Sequence, residues 1–517
     1  MEQLIVGFQN VMTPSTLFWV TVGVTLGYVL GALPGLGKAT GIAVAIPMTF
    51  YLAPVAAIAL LIGIAKGSAA GSAVSAILLN TPGEPSSAPT ALDGYPLARQ
   101  GKAQKALKMG LFASVIGDFL STIVLIALAA PLAHYALLIG PVELCSILLF
   151  SLTFIGGLAG RSMLKGLIAA AFGVLFATVG IETETFIPRL TVGLLELDDG
   201  ISLVPMAIGM LAVAEMILQA GNAQKIDREA TAITDGASPD DRRVTPAEWR
   251  RCLPVIGRGT LIGCIVGILP GLGASVGSFL SYGATQRASK TPEAFGTGMI
   301  EGVAAAESAD NAVVPSSFVP LFALGIPGSV IAAILIAALT LHGMTPGPMM
   351  FVEQPQLVAD LYAAMLCASV ILLIVGYAGQ RIFAQVIRVP VRLIIPVVLF
   401  LCCIGAYMET NSLFSIYVML AFALLGFFAR KLEFSFVTFL IGFVIGPNLE
   451  LTFRQSLQIL DHDLMRLPGH PIALVFGALT VATVLWINHS NMRAAASKAG
   501  SSASRTDRTA NTEHTQI

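Results

Sequence analysis

Gly31-Ala32-Leu33-Pro34-Gly35-Leu36-Gly37 returns later in the chain as Gly267-Ile268-Leu269-Pro270-Gly271-Leu272-Gly273, and each copy is followed at the same spacing by a further glycine, Gly41 or Gly277. Proline removes a backbone donor and glycine takes conformations closed to other residues, so each copy breaks the helix that its apolar flank favours. A second Pro-Gly element ends another apolar run downstream of each copy: Ile77-Leu78-Leu79-Asn80-Thr81-Pro82-Gly83, and Leu321-Phe322-Ala323-Leu324-Gly325-Ile326-Pro327-Gly328. The chain reads as two versions of one design, 1–220 and 251–488, joined by a polar linker at 221–250. A Ser-, Ala-, Thr-, Lys- and Arg-rich tail follows at 489–517, and its composition predicts disorder.

Of the 517 residues 56% are hydrophobic and 11% charged, against roughly 25% charged in a soluble domain, which excludes a soluble globular enzyme. The net charge of -1 leaves no basic face for nucleic acid. The six cysteines show no C-x-x-C spacing and read as small buried hydrophobes. The N-terminus lacks a positive segment and a cleavage site, so the first span is expected to stay attached.

A helical bilayer crossing takes about 20 apolar residues. Such runs lie at 16–37, 106–130, 143–160, 164–181, 201–219, 252–270, 356–378, 390–408, 412–429, 434–447 and 471–488. Two longer stretches, 41–80 and 311–341, are interrupted by Gly and Pro and are expected to be discontinuous. The fold class is an all-α polytopic membrane protein of two repeats with interrupted or re-entrant helices, about 11–14 membrane segments at that length per crossing.

Loop charge gives the orientation. Arg99, Lys102, Lys105 and Lys108 form one basic cluster, Lys225 to Arg258 hold another and the tail a third, and all three are expected on the cytoplasmic side. Residues 343–360, which follow the second tip, contain no Lys or Arg. Conversely, Arg287 and Lys290 follow the second break, while 51–56 after the first carry no charge. Matching loops fall on opposite sides, so the repeats are read as inverted.

Inside a bilayer an unwound backbone is tolerated only against protein or a water-filled cavity. Paired breaks in repeated halves are characteristic of transporters and point to the binding site. Helix N-termini there suit a carboxylate, and free carbonyls suit a cation. The alternative is that these glycines only let helices pack closely. A phosphate-binding loop is excluded, because Ala32 stands at its first glycine, Ala39 at its hydroxyl, and Ala274 replaces Lys38 in the second copy. Intramembrane hydrolysis is the rival class, but His-Glu-x-x-His is absent and the histidines are scattered.

From about Thr25 to Ile487 the sequence resembles the large membrane subunit of tripartite tricarboxylate transporters. The resemblance is carried by Gly31 to Gly37, Leu79 to Gly83, Leu92-Asp93-Gly94-Tyr95-Pro96-Leu97-Ala98-Arg99-Gln100-Gly101, Gly267 to Gly273, Phe295-Gly296 to Glu301-Gly302, Glu307 to Asn311, and Leu324 to Gly328. It implies cation-driven secondary uptake of organic acids across the bacterial inner membrane, with a small integral membrane subunit and a periplasmic solute-binding protein as partners. Two departures stand out: Lys66 where the family usually has an uncharged residue, and Asp310-Asn311 where it commonly has Asn-Asn.

On this reading a carboxylate site lies between the tips 80–83 and 325–328, flanked by the breaks at Gly35, Gly37, Gly271 and Gly273. Asn80, Thr81 and Ser68 donate to the substrate, with the amides of Gly83 and Gly328, while Pro82, Gly325 and Pro327 shape the tips. Lys66 adds positive charge there, or else snorkels to the interface. Asn80 alternatively caps a helix. Glu307, Asp310 and Asn311 form a coupling site for sodium or a proton, since acids three apart share a helical face, or else lie in a solvated loop. No cofactor is expected. The competing class is a membrane-embedded binding or scaffold subunit without its own transport cycle.

Overall fold

The computed structural model describes residues 2–33, 35–158, 162–182, 185–226, 238–386 and 391–485. Pro34, the middle of the expected linker and the whole tail lie outside the described residues. Almost everything described is helical; the strand pair Gly180–Ile181 with Pro188–Arg189 is the exception.

The first half runs α1 (Glu2–Val11), α2 (Pro14–Ala32), α3 (Lys38–Thr49), α4 (Pro54–Leu79), α5 (Ala88–Leu97) and α6 (Ala103–Ala136). Then come α7 (Pro141–Leu158), α8 (Met163–Ala177), α9 (Leu203–Ala207) and α10 (Ala214–Ile226). The second half repeats the opening pattern: α11 (Pro246–Ile268), α12 (Gly273–Ala288), α13 (Ile300–Ser316), α14 (Phe318–Leu324), α15 (Val330–Leu341), α16 (Met350–Glu353) and α17 (Pro355–Val386). It closes with α18 (Val391–Thr410), α19 (Leu413–Lys431) and α20 (Phe436–Ile459). Among the described residues nine helical stretches are long and apolar enough to cross a membrane. The chain is an all-α, polytopic membrane protein.

Two helices form the core. α4 is buried from Ala56 to Leu78, and α13 is buried at Ile300 and from Gly302 to Ser316. The stretch 41–80 is discontinuous as expected, with its break at 50–53 between α3 and α4; α4 itself is one continuous helix of 26 residues, and its glycines are packing positions, not breaks. Gly23, Gly27 and Gly31 on α2 face the carbonyls of Leu60, Ile64 and Ser68 on α4. Gly63, Gly67 and Gly71 on α4 face Val20, Val24 and Tyr28 in return. A Cβ at any of these six would come within 2.2–2.9 Å of a backbone oxygen. Small residues every fourth position let two helix backbones approach closely. α11 repeats the stripe against α13 with Gly259, Gly263 and Gly267, which face the carbonyls of Ala305, Ala309 and Val313. α13 was hidden in the hydropathy pattern because Glu307, Asp310 and Asn311 sit in its buried middle.

Side-chain ties hold the halves together. Asp93 on α5 accepts from the amides of Gly296, Gly298 and Met299 at 2.8–2.9 Å, just where α13 begins, and from Tyr282 Oη at 2.8 Å. The two basic segments expected on one side of the membrane meet: Lys105 pairs with Glu248 at 2.7 Å, and Lys108 donates to the Arg242 carbonyl at 2.7 Å.

By compactness the chain forms two units, Met1–Ile139 with Leu175–Leu432, and Gly140–Val174 with Glu433–Ile517. The first draws on both sequence halves and contains every candidate site residue. Within the second, α7 packs on α20, and a Cβ on Gly442 would meet the Ala170 carbonyl at 2.3 Å.

Candidate functional site

Each break is locked to its own half's tip by the same contact. The Gly35 amide donates to the Gly83 carbonyl at 3.2 Å, and the Gly271 amide donates to the Gly328 carbonyl at 3.2 Å. Gly35 (φ 82°) and Gly271 (φ 89°) take the left-handed conformation this turn requires. α4 ends in left-handed Asn80 (φ 53°) and α14 in left-handed Gly325 (φ 71°), and each is followed by x-Pro-Gly. A Cβ on Gly83 would meet the Gly31 carbonyl at 2.3 Å; one on Gly328 would meet the Gly267 carbonyl at 3.3 Å. The sequence duplication is thus a duplicated piece of structure, in which an unwound tip sits on an unwound helix end.

The first break also carries charge. Lys38 opens α3 and is 3% exposed. Its ammonium lies 2.7 Å from Asp310 Oδ1, inside α13 of the other half, and 3.1 Å from Glu84 Oε2, beside the first tip. Its backbone amide donates to Glu84 Oε1. Nearby, Glu307 accepts from Thr90 Oγ1 at 2.6 Å and Ser114 Oγ at 3.0 Å. The Asn311 amide donates to Ser114 Oγ at 2.8 Å and to the Glu307 carbonyl at 3.0 Å. Glu307 and Asp310 are both 0% exposed, so the solvated-loop alternative does not hold. Asp310 Oδ2, Asn311 Oδ1 and Ser68 Oγ are buried oxygens with no hydrogen-bond partner among the described residues.

Residues 17–441 match the model of the tripartite tricarboxylate transporter TctA family. The chain belongs to this family. As a TctA-family protein it is a component of a tripartite tricarboxylate transporter. It is 37% identical over 486 residues to an uncharacterized 52.8 kDa protein of the TAR-I ttuC' 3' region of Agrobacterium vitis, covering 94% of this chain and 95% of that one. A second protein of that organism, uncharacterized and from the TAR-II ttuC' 3' region, is 34% identical over 223 residues, 43% of this chain and 92% of that one. No solved structure matches.

In this TctA-family chain the structure brings Gly35, Gly37, Pro82, Gly83, Glu307, Asp310 and Asn311 into one connected region, with Gly271, Gly273, Gly325, Pro327 and Gly328 forming the matching turn of the second half. Asn80 holds the capping position of α4 with its side chain exposed, and Thr81 Oγ1 donates back to the Leu79 carbonyl at 3.2 Å. Ser68 faces inward, one turn beyond Ile64 on the α2 contact.

Lys66 is not brought to the tips. It is 1% exposed, which removes the snorkelling alternative, and its ammonium donates to Asp118 Oδ2 at 2.8 Å, Thr122 Oγ1 at 3.1 Å, the Met365 carbonyl at 2.8 Å and Ser369 Oγ at 2.9 Å. Three N–H donors face four acceptors, which leaves none for a substrate. Lys38 and Glu84 are the residues that sequence reasoning passed over. Their signal was that both charges occur in one copy only, opposite Ala274 and Ser329.

One further motif has a structural answer. Gly273-Ala274-Ser275-Val276-Gly277 matches the Gly-x-Ser-x-Gly spacing of hydrolase nucleophile elbows. That elbow is a strand-to-helix turn, whereas Ser275 follows a helix and lies in the first turn of α12.

Proposed function

We propose that the chain is the carrier subunit of its system and not an enzyme, moving organic carboxylates (tricarboxylates or related acids) across the bacterial inner membrane by secondary active uptake. A periplasmic solute-binding protein delivers the acid, and a small integral membrane subunit completes the assembly. The observation that carries this reading is the buried Lys38–Asp310 pair, which joins the first half's break to the core helix of the second half. Glu84, Glu307 and Asp310 gather near a single ammonium, and net negative charge inside a membrane is costly unless a proton or cation joins it. Asp310 Oδ2 and Asn311 Oδ1 supply unpartnered oxygens for that role, so sodium or a proton drives the cycle here.

The substrate's carboxylates meet the tip residues Asn80, Thr81, Pro82 and Gly83 and their counterparts Gly325, Pro327 and Gly328, with Ser68 and the turns at Gly35, Gly37, Gly271 and Gly273 around them. Alternating access follows from inverted halves whose tip-and-break elements move as paired units. The test is uptake of labelled carboxylate by liposomes holding the chain and its two partners. A sodium or proton gradient should drive accumulation. Binding without gradient-dependent accumulation would return the chain to a scaffold or binding role.

A further inference from the structure

Glu84 occupies a setting built for a carboxylate. α3 starts at Lys38, so its first amides have no acceptor within the helix and its positive end faces Glu84. The Lys38 amide donates to Oε1; Lys38 Nζ lies 3.1 Å from Oε2, and Ser86 Oγ donates to Oε2 at 3.3 Å. Gly37 is what admits the group: a Cβ there would lie 2.8 Å from Oε1. In the second half Ala274 and Ser329 replace Lys38 and Glu84, and a Cβ on Gly273 meets no protein atom within 4 Å. One half alone therefore assembles an ammonium, a helix end and a hydroxyl on a carboxylate, and that carboxylate is the chain's own.

We propose that Glu84 is a resident surrogate for one carboxylate of the transported acid, and that the substrate binds by replacing it on Lys38, the α3 amide and Ser86. This rests on the carboxylate-carrier reading. The two acids on Lys38 differ in how readily they can leave. Asp310 is held inside α13 with its side chain 1% exposed, whereas Glu84 sits in extended backbone (φ -136°, ψ 159°) directly after the tip glycine, its side chain 14% exposed. Exchange at Glu84 keeps Lys38 paired with Asp310 throughout, so the buried ammonium is never left alone.

The test is ligand-induced thermal stabilisation of the detergent-purified chain with citrate, succinate and benzoate as probes and chloride as control, a readout that needs neither partners nor a gradient. E84Q and E84A remove the competitor and should lower the half-saturating concentration about tenfold, ~1.4 kcal/mol. K38M should abolish the shift and K38R should keep it. A merely structural Glu84 predicts the opposite sign, weaker or unchanged binding in a less stable protein. The proposal is overturned if neither Glu84 variant binds any probe more tightly than the parent, or if K38M binds as the parent does. Gradient-driven uptake by the parent would leave the carrier reading intact in that case; a parent that binds but never accumulates substrate would sink the carrier reading alone.

Discussion

Lys66 and Asn311 hold equivalent places in the two halves. Each lies 17 residues before the glycine of its Pro-Gly tip, Gly83 or Gly328, on a core helix, and each reaches the long helix that follows the other half's tip. Lys66 donates to Met365 and Ser369 on α17; Asn311 donates to Ser114 on α6. α6 and α17 meet where Ser369 donates to Asp118 at 2.5 Å. One half uses a neutral amide at this position and the other a full charge, which Asp118 balances.

Removing that charge should destabilise the protein without touching recognition. K66M leaves Asp118 buried without its cation, and breaking one side of a buried pair costs about 3–5 kcal/mol. Thermal unfolding in detergent should show a large loss in K66M and substantial recovery in K66M/D118N, with probe affinity near the parent's in the double variant. A K66M protein as stable as the parent, or a double variant that folds well but no longer binds, contradicts the structural role.

The glycine stripes make a graded prediction. In G27A the new Cβ meets the Ile64 carbonyl at 2.3 Å, and in G263A the Ala309 carbonyl at 2.5 Å. Neither backbone can yield cheaply, so each should lose at least about 3 kcal/mol, the upper end for overpacked cores. G257A, exposed on α11 with nothing within 4 Å, should be neutral or gain about 0.5–1 kcal/mol in helix propensity. Equal unfolding temperatures across the three would remove the close-packing account of α2–α4 and α11–α13.

Much of this architecture was legible because broken backbone leaves a trace in composition. Pro-Gly pairs that recur in the same order in both halves mark both breaks and both tips, and Glu307 and Asp310 announce a polar face by their separation. Where the break in 41–80 falls was less legible: it lies at 50–53, not among Gly63, Gly67 and Gly71, whose four-residue period, matched by Gly23, Gly27 and Gly31, marks packing. Lys38 and Asp310 are 272 residues apart, so no local pattern joins them. For Lys66 the sequence leaves a site charge and a snorkelling side chain both open, because its partners Asp118 and Ser369 lie 52 and 303 residues away and no local pattern joins them.

Asn80 separates capping from recognition. Its left-handed backbone is one that glycine adopts freely, so N80G should fold as the parent does, whereas N80A adds about 1–2 kcal/mol of backbone strain. A carboxylate-binding Asn80 predicts impaired uptake in both variants, with normal insertion and stability in N80G. Parent-like transport kinetics in N80G would leave Asn80 as a cap only.

Asp310 offers the most direct test of coupling. It is the acid that ties Lys38 into the second half, and its Oδ2, like Asn311 Oδ1, is a buried oxygen without a hydrogen-bond partner among the described residues. D310N keeps the shape and preserves a carbonyl acceptor for Lys38, which retains Glu84 as its charged partner at 3.1 Å. The fold should therefore survive with a modest stability loss, of the order of a charge-assisted hydrogen bond, about 1.5–3 kcal/mol. The carboxylate charge that a sodium ion or proton would neutralise is gone, so the dependence of uptake on sodium concentration or pH should change in slope or midpoint. Measuring initial uptake rates across sodium and pH series in parent and D310N liposomes decides the matter: superimposable ion dependence, in a variant shown to be folded, takes Asp310 out of the coupling mechanism and leaves Lys38–Asp310 as a structural strut.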